Sequence, residues 1–114
     1  MTRRVFYAAV YAASGLWDRT FEQAYAALEQ TPGVFLELDG SFFTLTADEP
    51  RGRIEGNLFD RDGRLVYVDL KAECSLAELE RFLAVIRPPE GLAFELPREG
   101  LRLDEAGVRA YFSG

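Results

Sequence analysis

The sequence contains no histidine, one cysteine and one lysine. Without histidine there is no Ser-His-Asp or Cys-His catalysis and no histidine zinc site. The side chain that most often serves as a base near neutral pH is missing with it. A single cysteine rules out an internal disulfide; this is compatible with a reducing compartment, and a cytoplasmic location is the expectation. Long apolar runs are also lacking. The longest, Val5 to Ala13, is too short to span a membrane, so no membrane association is expected. Excess positive charge is absent too: 13 basic residues stand against 19 acidic ones, a net charge of −6. That balance disfavours non-specific binding to nucleic acid or to anionic membranes, both of which rely on a basic surface. There is no glycine-rich phosphate loop, internal repeat or low-complexity tract.

What remains is the composition of a globular protein, 48% apolar and 13% aromatic. At 114 residues the sequence is read as a single domain, 1–114, large enough for one core.

Basic residues before Val5 give the first apolar run the outline of a short signal peptide. Tyr7 and Tyr11 dilute its apolar character, and a structural element is the preferred reading. Valine and aromatic content favours a strand and alanine content a helix; strand is preferred, with helix left open. Trp17, Phe21, Ala24 and Leu28 then recur at helical spacing, with Thr20 and Gln23 placed as a capping box, Asp18 as the alternative cap, and an end near Gln30. Val34–Leu38 and Phe42–Thr46 read as strands joined by Asp39-Gly40, a pair suited to a type I′ turn. A polar loop follows, 47–52. A second capping box, Ser75 with Glu78, opens a helix running to Ile86, with Cys74 and Leu79 in the staple positions. Cys74 is read as a packed small hydrophobe, since no histidine is present to act as its base. Leu92–Leu96 and Leu101–Leu103 are short strand candidates, and Asp104 caps a last helical turn or two.

The centre of the chain is Arg53 to Lys71. Ile54, Gly56 and Leu58 alternate with Glu55, Asn57 and Phe59; Val66, Val68 and Leu70 alternate with Leu65, Tyr67 and Asp69. Period-two alternation around Asp60-Arg61-Asp62-Gly63 predicts a β-hairpin. The second strand is apolar on both faces as far as Tyr67, which predicts a central strand packed on each side. Asp60-x-Asp62-Gly63 has the start of a calcium loop but lacks the closing glutamate. Arg51, Arg53, Arg61 and Arg64 form the densest basic cluster, which the hairpin splits between opposite ends of a strand.

Asp69 and Lys71 lie two apart, so both project from one face. Lys71 is the one lysine, and unlike arginine a lysine can be tuned to exchange its proton. Asp69-Leu70-Lys71 resembles the acid-x-lysine element of the PD-(D/E)xK nuclease core, and the element order over roughly residues 20–96 is similar to that family's. The resemblance implies a magnesium-dependent nuclease or phosphodiesterase, or an inactive relative. Asp69 would then ligate the metal and Lys71 would position or activate the attacking water. The family's first acid falls at about Asn57, a departure, because an amide brings no charge to the ion. Asp60 is the substitute ligand if the register shifts, and Glu55 is a further candidate.

The fold class expected is α+β: a mainly antiparallel twisted sheet of about five or six strands with two main helices packed on it. A partly mixed sheet is open, because the strand after the second helix could add in parallel. Two functions are carried forward. The first is a small acidic, non-catalytic interaction or regulatory domain without a cofactor, presenting Tyr7, Tyr11, Phe42 or Phe43, and Tyr67 to a protein partner or to a second copy. The alternative is the magnesium enzyme, the only reading that calls for nucleic acid as partner.

Overall fold

A computed structural model describes residues 4–45 and 52–113. Most of the expected polar loop, including Arg51, lies outside the described residues. The elements in order are β1 (Arg4–Ala12), α1 (Phe21–Glu29), β2 (Val34–Leu36), β3 (Ser41–Leu45), β4 (Arg53–Arg61), β5 (Arg64–Cys74), α2 (Leu76–Ile86), β6 (Leu92–Leu96), β7 (Leu101–Asp104) and α3 (Glu105–Ser113). The strands form one sheet in the order β2-β3-β4-β5-β1-β6-β7. Every neighbouring pair is antiparallel. The α+β class and antiparallel sheet are therefore as expected. The strand count rises to seven because the first apolar run is a strand, seated between β5 and β6. Among the described residues no strand adds in parallel: α2 carries the chain over β1, and β6 pairs with the far side of β1.

Both helix starts follow the sequence signals. Thr20 and Gln23 satisfy each other's backbone N–H groups, and Ser75 and Glu78 do the same. At α3 the Asp104 carboxylate accepts the Gly107 N–H at 2.7 Å. The caps also dock the helices. Just before α1, the Arg64 guanidinium donates to the Trp17 carbonyl at 2.9 Å, and the Phe21 N–H donates to the Gly63 carbonyl at 2.8 Å. The start of α1 is thus stitched to the tip of the β4–β5 hairpin. At the other end, Glu105 holds Arg87 at 2.6 Å and accepts the Leu92 N–H at 3.1 Å, joining α2, β6 and α3.

The hairpin turns refine the expectations. Arg61 pairs with Arg64, leaving Asp62-Gly63 as a two-residue loop, with φ of 52° and 84°. Positive φ at both positions is what a type I′ turn requires. The Asp39-Gly40 turn differs from the type I′ geometry expected, since only Gly40 has positive φ, 90°. Leu38, Asp39 and Gly40 form a three-residue loop, closed by Glu37 N–H to the Ser41 carbonyl at 2.9 Å. Asp39 is diverted to a local role, its carboxylate accepting both the Ser41 N–H and hydroxyl.

The three helices of the described residues lie on one side of the sheet. Ala24 and Leu28 of α1, Leu79, Phe82, Leu83 and Ile86 of α2, and Val108 and Phe112 of α3 share one core with the inward strand residues, Phe6, Val10, Ile54, Val68, Leu70 and Phe94 among them. Each large side chain buried this completely contributes roughly 1.5–3 kcal/mol. Cys74 and Leu79 are both fully buried, as the staple predicts. The expectation that β5 is covered on both faces is corrected: β5 is central, yet helices cover one face only. The apolar run misled because of a bulge. Register passes from Phe59–Tyr67 to Asp60–Leu65, so β5 carries one extra residue, Val66. The bulge turns both Leu65 and Val68 into the core, although they are three apart. Tyr67 is left on the outer face. Among the described residues no helix is long and apolar enough to cross a membrane.

Candidate functional site

Among the described residues no helix lies on the outer face of the sheet, and the residues of that face follow directly from the register. Four rows run across the strands. The first is Phe59, Tyr67, Tyr11, Ala93 and Asp104, from β4 to β7. The second is Ser41, Asn57, Asp69, Ala9, Glu95 and Arg102, from β3 to β7. The third is Phe35, Phe43, Glu55, Lys71 and Tyr7, from β2 to β1. The fourth is Leu45, Arg53, Glu73 and Val5. Strand pleating puts each row on the face opposite the core.

Aromatic and apolar side chains are concentrated here. Among the large hydrophobics that are exposed, Val5 (49%), Phe35 (54%), Leu45 (40%) and Phe59 (41%) all stand in these rows. In the first row Phe59 stacks on Tyr67 at 4.7 Å between ring centroids, and Tyr67 meets Tyr11 at 5.4 Å. In the third row Phe35 stacks on Phe43 at 4.8 Å, and the Arg53 guanidinium lies 4.2 Å over Phe43. Arg98, from the β6–β7 turn, lies 3.8 Å over the Tyr7 ring, with the Lys71 ammonium 5.8 Å from the same ring. Tyr67, Phe43 and Tyr7 therefore each have two neighbours, rings or cations. Less ring face is left for a stacked base or sugar, and edges and alkyl stems are presented instead. Of the aromatic patch expected from the sequence, Tyr7, Tyr11, Phe43 and Tyr67 lie on this face; Phe42 turns into the core.

Between the third and fourth rows lies a depression of about 410 Å³ lined by Val5, Tyr7, Arg53, Glu55, Lys71 and Glu73. The face thus has an aromatic ridge at its hairpin end and a hollow at the other. The Tyr11 hydroxyl holds its proton above the usual tyrosine range, first because it is partly buried and second because the Glu95 carboxylate lies near.

The residues matched to the nuclease core fall on the same face. Asn57 and Asp69 are cross-strand partners, and Glu55 and Lys71 are the next pair along. Glu55 accepts the Arg53 Nε–H at 2.8 Å and lies 3.9 Å from Lys71. Asp69 is exposed. Asp60 sits beyond the bulge, its carboxylate accepting the Gly63 N–H at 2.9 Å within the turn. The structure brings Asn57, Asp69, Lys71 and Glu55 together and sets Asp60 apart. Among the described residues no group of three or more aspartate, glutamate, cysteine or histidine side chains is gathered so as to hold a metal ion.

Sequence reasoning missed Phe35, Phe59 and Arg98 as members of this surface. Phe59 was within reach, because the hairpin pairing places it opposite Tyr67. Arg98 was not, since its position over Tyr7 depends on which strand β6 joins. No protein-family model, curated protein or solved structure matches this chain.

Proposed function

We propose that this chain is a non-catalytic interaction domain whose docking surface is the open face of the sheet. One observation carries the reading: three rings in contact in the first row and a stacked pair in the third stand on a face over which no helix of the described residues lies. Aromatic, methionine and arginine side chains are the anchors that protein interfaces favour. A patch of this kind on a soluble surface marks a site of association. The partner is another polypeptide. The chain's acidic balance argues against nucleic acid, and the engaged ring faces argue against base stacking. The magnesium-enzyme reading lacks a comparable support: Glu55, beside Lys71, is already paired with Arg53.

The test is capture of partners by the tagged chain in its own cells, comparing wild type with Phe59→Ser and Phe43→Ser. Glu22→Gln, on the exposed side of α1, is the control. Partners retained by wild type and Glu22→Gln, and lost by both face variants, support the proposal. A partner set unchanged by the face variants would sink it.

A further inference from the structure

We infer that the occupant of the open face is a second copy of this chain, packed face to face about a two-fold axis. The axis lies in the interface, perpendicular to β5, and passes between Asp69 and Lys71. This rests on the reading of the face as a docking surface and names its partner.

Charge is the first argument. The face carries four cations, Arg53, Lys71, Arg98 and Arg102, and five carboxylates, Glu55, Asp69, Glu73, Glu95 and, at the β7 edge, Asp104. Its balance is −1, whereas the chain as a whole carries −6. Most of the acidic excess sits elsewhere, so two identical acidic chains approach through this face with little repulsion.

Shape is the second. In an isologous pairing, residue i of one copy meets j of the other, and j meets i. Rotation about the stated axis lays the first row of each copy over the fourth row of its mate. The Phe59–Tyr67–Tyr11 ridge then enters the hollow lined by Arg53, Glu73 and Val5. Phe59 meets Arg53, Tyr67 meets Glu73 and Tyr11 meets Val5: a ring under a guanidinium, a hydroxyl beside a carboxylate and an apolar contact. The second row lies over the third, and there Asp69 meets Lys71 and Asn57 meets Glu55. Asp69, exposed and without an ion-pair partner among the described residues, gains its countercharge. Twisted sheets pack in this way with their strands nearly aligned.

Area is the third. Strand spacing and rise give these rows on β3, β4, β5, β1 and β6 roughly 600 Å² in projection. The accessible area is larger, close to the about 800 Å² per partner of a standard interface.

The experiment is sedimentation velocity on the full chain over a wide concentration range, with circular dichroism to verify folding. Wild type should dimerise. Asp69→Lys and Lys71→Asp each set like charges face to face and should weaken the dimer about tenfold or more. The sign is diagnostic for Asp69→Lys, because this change lowers the net negative charge and would favour association if bulk repulsion governed it. The double variant D69K/K71D restores opposite charges across the axis and should recover the dimer, as should a mixture of the two single variants. The dimer is overturned by a wild type that stays monomeric at every concentration. It is equally overturned by single variants that associate as well as wild type, or by a double variant that fails to recover. Failure of the docking surface itself reads out separately, in partner capture that is indifferent to Phe59→Ser and Phe43→Ser.

Discussion

The carbonyl oxygen of Asp69 occupies the space that a side chain at Gly56 would need. On the inner side, the Phe42 ring reaches to 3.2 Å from the same place and stacks on Phe82 of α2 at 5.4 Å. Glycine at this position lets β4 approach β5 closely and lets an aromatic ring cover the gap. Gly56→Ala is expected to destabilise the protein by about 1–3 kcal/mol, as overpacking does. Urea unfolding checks the value, and an unchanged midpoint would show that the strands separate without cost.

The two capping boxes give a graded pair. Ser75 is 2% exposed, whereas the Thr20 box stands closer to solvent. Ser75→Ala leaves the Glu78 backbone N–H buried without its acceptor, at a cost of about 1–2 kcal/mol. Thr20→Ala should cost about 1 kcal/mol or less, because water replaces the hydroxyl. Paired thermal melts at one protein concentration test the order of the two.

Tyr11 gives a pH signature. Its proton is held more tightly in the folded state than in the unfolded chain, through burial first and the Glu95 charge second. The associated stability is intact below the ordinary tyrosine pKa, about 10, and is lost as pH rises through the raised folded value. Glu95→Gln should lower the Tyr11 titration part of the way, leaving the share due to burial. Phenolate absorbance, taken as the difference between each protein and its Tyr11→Phe counterpart, measures this. An unmoved titration would mean that Glu95 does not act on Tyr11.

Millimolar magnesium or manganese should leave the melting temperature of the wild type unchanged, and that of Asp69→Ala likewise. A ligand of the folded state raises stability by mass action. A metal-dependent rise in wild type that Asp69→Ala abolishes would therefore restore the phosphodiesterase reading.

Much of the architecture was legible because it is written in local chemistry. Thr20 with Gln23 and Ser75 with Glu78 state where helices begin, and Asp62-Gly63 states where a hairpin turns. Two failures had physical causes that no local pattern carries. Val66 looked like one more core residue, and only the cross-strand register exposes it as a bulge. The Phe42-Phe43 pair could not be assigned to faces until the three-residue loop at Leu38–Gly40 fixed the phase of β3. The candidate surface was legible in part for the same reason. Tyr7, Tyr11 and Tyr67 alternate visibly with buried neighbours. Their assembly into rows depends on β1 entering the sheet between β5 and β6, a contact between distant parts of the chain.

Lys71 stands in the third row with its side chain 60% exposed. As the one lysine of the sequence, it makes this face the sole address on the described fold for chemistry that requires a side-chain amine. Acetyl transfer, ubiquitin attachment or a laboratory acylating probe would each arrive beside Tyr7 and Glu55. Any such mark would remove or bury the charge at the centre of the surface, so covalent modification and docking would compete for the same nitrogen.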